Sequence, residues 1–545
     1  MVHNAPGCRV DDGGALSHFS GPARDHIALE HVRVLVFGRG GILDIFHNII
    51  LGFQVASSWE NLLFCFIGTL IGTLIGVLPG IGPTTGVAIL IPITFGMNAT
   101  TAIITMCGVY YGAMYGGSTT SILLNVPGES SSVMTTLDGY QMAKNGRPGP
   151  ALGMAALSSF IAGTFAVLML TLIAPVLANY AVSFGPPEYF ALTFMGLTMV
   201  TSLGGDSPLK GIISGVLGLI FACVGIDAIS GVARFTYDNM NLLDGVGFIG
   251  MAVGLFAASE VLVNIESPMQ QIFTEAKLNF LSLFPNLQDW KDSFGAIWRG
   301  SVIGFFVGVL PGAGATISSF MAYAVEKKVS KHPEKFGTGV IEGVAAPEGA
   351  NNSAAGGAMV PLLTLGIPGS GTTAVMLGAL LIHGLRPGPL LFSTHPDFVW
   401  GLIASMYIGN VMLVIQNMPM IGLWVRLLKV PYKVLMPLII TISAVGVFAT
   451  DNNIFDMWVM LFFGVIGYVM RKLDYPPAPM VLALVLGPMV EMSLRQSLTI
   501  SHGNMAIFFT RPISGTLTIL ALLSLFAPLF RILWSKYRRG KMAAA

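Results

Sequence analysis

The chain has 545 residues, and only 10% of them are charged, against about 25% in average soluble proteins. Hydrophobic residues make up 54%, and 28 Lys and Arg nearly balance 27 Asp and Glu. These figures exclude an ordinary soluble enzyme, a disordered polar chain and a nucleic-acid binder built on a basic stripe; a polytopic membrane protein remains.

In chain order, residues 1–41 stand apart, with Arg9, Arg24, Arg33 and Arg39 among Asp11, Asp12, Asp25 and Glu30. They read as a disordered cytoplasmic extension or as sequence upstream of a misassigned start. Apolar segments then follow at 42–57, 62–78, 87–95, 101–124, 151–178, 189–203, 211–229 and 244–263. A polar connector occupies 265–299. Further apolar segments lie at 301–325, 354–365, 372–382, 399–415, 418–428 with 434–450, 458–470, 480–489 and 515–533. The pattern predicts an all-α polytopic membrane protein with about ten to fourteen passes, counting short re-entrant ones. Its organisation is a first transmembrane repeat at 42–264, the connector, a second repeat at 300–534 and a basic tail at 535–545. Lys327, Lys328, Lys331 and Lys335 in the loop 326–337, and Lys536, Arg538, Arg539 and Lys541 in the tail, place both on the cytoplasmic side.

The repeat rests on three motif pairs in the same order. GVLPGIG at 76–82 returns as GVLPGAG at 308–314, an offset of 232. Asn125-Val126-Pro127-Gly128 is matched by Gly366-Ile367-Pro368-Gly369, and Arg147-Pro148-Gly149-Pro150 by Arg386-Pro387-Gly388-Pro389, at offsets of 241 and 239. The loop after the first GVLPG motif carries no charge, and its counterpart is the four-lysine loop. Equivalent loops of such different charge predict halves of inverted orientation, a common transporter plan.

Glycine is enriched, with 66 residues, about 12% of the chain against about 7% on average. Tight helix packing accounts for part of it. The clustered part has a sharper reading. Pro79, Gly80 and Gly82, and Pro311, Gly312 and Gly314, predict two helices broken mid-membrane. Thr84, Thr85 and Thr316 then start second half-helices, where hydroxyls and free N–H groups favour an anion. Pro127-Gly128 and Pro368-Gly369 predict the tips of re-entrant hairpins. Ser118, Thr119 and Asn125 in one half, and Asn351, Asn352, Ser353 and Ser370 in the other, supply oxygens for a cation and donors for a carboxylate. Ordinary Ser/Thr helix packing is the competing reading of each single residue. Glu129 lies just past a hairpin tip, Asp206 with Lys210, Asp227, Glu342, Glu348, Asp451 and Glu491 fall near segment ends, and most of these read as interfacial.

Cys8, Cys65, Cys107 and Cys223 have no metal-ligand spacing, so no metal site and no cofactor are expected. HExxH, GxSxG and Walker motifs are absent, so this chain encodes no ATPase motor.

The stretches 76–92, 115–152, 308–323 and 366–392 resemble the large membrane subunit of the tripartite tricarboxylate transporters, the TctA type, and the resemblance covers nearly all of the chain beyond residue 41. It implies the permease subunit of a secondary uptake system for citrate, other di- and tricarboxylates or some aromatic acids, in a bacterial inner membrane. It also implies a periplasmic solute-binding protein and a small four-helix membrane subunit as partners. With it, Na⁺ or H⁺ is expected as the coupling ion, and no enzyme activity. A passive channel and an integral-membrane enzyme are the alternative readings.

Overall fold

A computed structural model describes residues 41–78, 82–181, 184–201, 207–227, 229–266, 280–310, 314–427 and 432–526. Residues 1–40, Pro79, Gly80, Pro311, Gly312, Asp206 and the tail 535–545, all singled out in the sequence, lie outside the described residues.

The chain is built almost wholly of helices: α1 (Gly41–Ala56), α2 (Trp59–Val77), α3 (Gly82–Thr94), α4 (Ala99–Leu124), α5 (Val133–Lys144), α6 (Pro148–Ala181), α7 (Pro186–Thr201) and α8 (Pro208–Ala222). After a short antiparallel pair, β1 (Gly225–Ile226) and β2 (Ala233–Arg234), comes α9 (Phe248–Glu266), which carries one π-helical stretch at Gly254–Ala258. Then follow α10 (Leu287–Val309), α11 (Gly314–Val329), α12 (Glu342–Leu365), α13 (Gly371–Ile382), α14 (Pro396–Asn417), α15 (Ile421–Leu427), α16 (Tyr432–Asp451), α17 (Ile454–Lys472), α18 (Ala478–Ile500) and α19 (Pro512–Phe526). Among the described residues six helices are long and apolar enough to cross a membrane alone, and six shorter apolar helices accompany them. This is an all-α polytopic membrane architecture.

Several boundaries differ from the hydropathy reading. The segment expected at 211–229 stops at Ala222 and gives way to the β pair, and the one expected at 244–263 starts at Phe248. α10 begins at Leu287, inside the expected polar connector, because Asn286 and Asp289 form a reciprocal capping box there. The largest difference is α12. Hydropathy starts an apolar segment at residue 354, whereas the helix starts at Glu342 and buries Glu348, Asn351 and Asn352 within it. Its neighbours are other helices, so internal hydrogen bonds replace apolarity as the condition for burial.

Glycine rows let the central helices touch backbone to backbone. A Cβ built on Gly68, Gly72 or Gly76 of α2 would fall 2.2–2.5 Å from the carbonyl oxygens of Thr105, Val109 and Ala113 of α4. One built on Gly300, Gly304 or Gly308 of α10 would fall 2.3–2.4 Å from those of Ala346, Ala350 and Ala354 of α12. Each pair of contacts is related by the offsets 232 and 241 that relate the sequence motifs. Close approach of this kind is how membrane helices gain packing energy without a hydrophobic drive.

The helices around the breaks run to opposite ends of the molecule. α3 leads to the loop before Asn98, whose side chain caps α4 by accepting from the Thr100 N–H at 2.9 Å. α4 then runs 26 residues, about 39 Å. Near its far end lies the loop after α11. There Asp138 of α5 accepts from the backbone N–H groups of Gly337, Gly339 and Val340 at 2.8–3.0 Å, and Asn145 donates to the Thr338 carbonyl at 3.2 Å.

Candidate functional site

The two broken regions share one geometry. α2 ends at Val77 and α3 begins at Gly82; α10 ends at Val309 and α11 begins at Gly314. Gly82 and Gly314 both hold φ at +60°, a left-handed conformation that costs other residues about 1–2 kcal/mol. The tips after α4 and α12 fold back onto these breaks. A Cβ on Gly128 would meet the Gly76 carbonyl oxygen at 2.3 Å, and one on Gly369 would meet that of Gly308 at 2.9 Å. Glu129 and Ser370, one residue further on, each cap the following helical turn in a reciprocal box, with Ser132 and Thr373 respectively.

Breaks and tips together enclose a cavity of about 770 Å³. Gly82, Thr84, Thr85, Pro127, Gly128, Gly314, Thr316 and Ser370 line it, bringing together residues proposed from four separate motifs. Two hydroxyl pairs cross between the halves. Thr84 Oγ1 lies 2.9 Å from Thr372 Oγ1, and Ser130 Oγ lies 2.8 Å from Thr316 Oγ1. In each pair a break threonine of one half meets a tip hydroxyl of the other. Thr85 Oγ1 donates to the Phe256 carbonyl at 3.5 Å, and the Tyr110 hydroxyl lies 3.4 Å from Ser370 Oγ.

Other expected residues sit elsewhere. Ser118 donates to Glu348 Oε2 at 2.6 Å and Asn351 Nδ2 to the same oxygen at 3.2 Å, while the Thr135 hydroxyl donates to Glu348 Oε1. Asn352 donates to Ser159 Oγ at 2.7 Å and Ser353 to the Ser301 carbonyl at 2.7 Å. These side chains are buried behind the cavity wall, and Glu348 is itself fully buried. Thr119 is buried in a small crevice beside Ser159 and Asn417. Asn125 closes α4 in a left-handed turn with φ 57°, a conformation asparagine tolerates well. Pro368 and Gly369 are buried beneath Ser370.

Among the described residues three charged ones face the cavity: Glu129, Glu260 of α9 and Arg471 of α17. Glu129, expected just past a hairpin tip, is 7% exposed and accepts from the Ser131 backbone N–H at 3.1 Å and from the Ser131 hydroxyl. Arg471 is ion-paired with Glu260. No motif points to this pair, because its members lie on separate helices more than two hundred residues apart. The only sequence signal is an arginine at the end of an otherwise apolar span, which ordinarily reads as an interfacial anchor. Formally the three groups leave the lining at −1.

A second cavity, of about 470 Å³, lies between the β1–β2 region and α18. Arg495 meets Asp227 at 2.9 Å, and Arg234 meets Glu491 at 2.8 Å. The backbone N–H groups of Ser230 and Ile229, together with Arg495, hold the Asp227 carboxyl well below the usual carboxylate range. Among the described residues no group of three or more His, Cys, Asp or Glu has the arrangement of a metal site.

The family model described as "Tripartite tricarboxylate transporter TctA family" matches residues 62–482. A protein of Agrobacterium vitis named "Uncharacterized 52.8 kDa protein in TAR-I ttuC' 3'region" is 45% identical over 481 residues, covering 88% of this chain and 95% of that one. A second from the same organism, named "Uncharacterized protein in TAR-II ttuC' 3'region", is 45% identical over 233 residues, covering 43% of this chain and 96% of its own. No solved structure matches the chain.

Proposed function

The chain belongs to the tripartite tricarboxylate transporter TctA family and is a membrane subunit of that transporter type; from this premise we propose that it is the permease that moves carboxylates through the cavity between the two breaks, driven by a cation gradient. One observation carries the reading: break and tip motifs from both halves converge on a single cavity, where they set hydroxyl groups among apolar lining. Thr84, Thr85, Thr316 and Ser370 supply neutral donors for the anion. The formal charge of −1 on the lining is the argument for co-transport. A di- or tricarboxylate entering that lining needs cations with it, and Na⁺ or protons supply the compensation. A periplasmic binding protein and a small membrane subunit are the expected partners, in the inner membrane of a bacterium, with the loop 326–337 on the cytoplasmic side.

We further read the halves as inverted repeats that rock about this cavity. The reciprocal hydroxyl pairs and the placement of the loops after α3 and α11 near opposite ends of α4 support that reading.

Reconstitution tests it. Vesicles carrying the chain with both partner proteins should accumulate labelled citrate, succinate or terephthalate against a gradient. Accumulation should occur when an Na⁺ or a pH gradient is imposed and should stop without the binding protein. Equilibration of substrate without any ion gradient would instead make the chain a passive channel.

A further inference from the structure

We propose that Arg471 is the residue that recognises a second carboxylate of the substrate, and that Glu260 is a resident stand-in which that carboxylate displaces. The inference rests on the reading of the cavity as a carboxylate path.

Arg471 is the one cationic side chain among the described residues lining the cavity; every other donor there is a neutral hydroxyl or backbone group. Hydroxyls suffice for one carboxylate, but a second negative charge in a lining that already holds two acids requires a fixed cation. Guanidinium suits this role, because its planar fork matches both oxygens of a carboxylate. In this structure that fork is occupied. Its Nη1 pairs with Glu260 Oε2, and its Nε donates to Ser259 Oγ at 3.2 Å. Glu260 Oε1 is held by Asn264 Nδ2 at 2.9 Å. A carboxylate of the substrate is the chemical equal of Glu260 and takes its place on the guanidinium, while Glu260, whose side chain is 8% exposed, stays in the wall on Asn264 and has its charge met by a proton or the co-transported cation. An entering monocarboxylate has no group for this exchange once it is bound at the hydroxyl end. Selection for substrates with two or more carboxylates therefore lies in the permease itself as well as in any binding protein.

The test uses the purified full-length chain with Ile317→Cys as reporter, all other cysteines replaced. Ile317 lines the cavity without being a polar ligand in it. Protection of the reporter from maleimide is titrated with citrate and with two matched pairs, succinate against butyrate and terephthalate against benzoate. In the parent, each dicarboxylate and citrate should protect at concentrations about tenfold or more below the monocarboxylates. Glu260→Gln, which removes the competitor, should lower the half-protecting citrate concentration by about tenfold. Arg471→Gln strands Glu260, so the deciding variant is Glu260→Gln with Arg471→Gln, which leaves no unpaired charge. It should fold as the parent does and protect equally with mono- and dicarboxylates. If that double variant keeps the preference, the assignment of Arg471 falls while the cavity reading stands. If no acid protects the parent, the cavity reading falls and takes this inference with it.

Discussion

Thr316 and Ser118 were equal candidates in the sequence, both small hydroxyl residues beside a motif. Their surroundings separate them. Thr316 opens onto the cavity and shares a hydrogen bond with Ser130 across the halves, whereas Ser118 is one of three side chains that donate to the buried Glu348. Their alanine or valine variants should fail in different ways. Thr316→Val should lower citrate uptake several-fold with little change in thermal stability, since an exposed hydroxyl pair contributes only about 1 kcal/mol. Ser118→Ala removes a donor from a buried carboxylate and should cost about 1–3 kcal/mol of stability. Detergent melting curves alongside uptake assays would check both. A stable Ser118→Ala protein with lost substrate affinity would move Ser118 back to the transport site. Residue type alone could not make this distinction, because Glu348 reaches Ser118 from 230 positions away. Arg471 was hidden for the same reason, since its meaning depends on Glu260 of another helix.

The broken helices were the most legible elements. Proline and glycine act on their own backbone, so the interruption follows from local chemistry wherever the helix is placed. α2 stops at Val77 and α10 at Val309, each just before its Pro-Gly pair. α12 was the least legible, because hydropathy cannot tell a polar helix buried among protein helices from a loop. The conformational requirement at the breaks has its own test at Gly82. Nothing lies within 4 Å of a Cβ built there, so space is not limiting, and φ is +60°. Gly82→Ala should therefore impair uptake through strain of about 1–2 kcal/mol, while Gly82→Asn, whose side chain tolerates this conformation, should retain more activity. Replacing Pro79-Gly80 and Pro311-Gly312 by Ala-Ala should abolish uptake while the protein still inserts. Transport assays scaled to membrane-inserted protein would measure each. Equal loss in Gly82→Ala and Gly82→Asn would show that bulk, not backbone conformation, is what the position excludes.

At the scale of the whole molecule, the order of the motifs was legible, but the way the halves meet was not. Sequence places each half in succession; the structure exchanges them, so that the Thr84 region of one contacts the Thr372 region of the other, and Ser130 contacts Thr316. A two-fold relation alone leaves two arrangements, with the axis along the membrane normal or within its plane. The sides on which the loops lie distinguish them. If the axis lay along the normal, the loops after α3 and α11 would share a face. α4 starts beside the first loop and runs 26 residues, about 39 Å, to a region whose Asp138 binds the backbone of the second. In the proposed inverted arrangement that length sets the two loops on opposite faces. Single cysteines at Gly96 and Glu334 sample them: Gly96 has no atom within 4 Å of an added Cβ, and the Glu334 side chain is 66% exposed. In intact cells a membrane-impermeant maleimide should label Gly96→Cys, whereas Glu334→Cys should react only after the membrane is opened. The charge of the loops sets that expected sense, since the positive-inside rule puts the four lysines surrounding Glu334 on the cytoplasmic side. Labelling of both from one side would leave the two-fold relation intact but turn its axis to the membrane normal. The rocking of inverted halves about the cavity would then have to be abandoned.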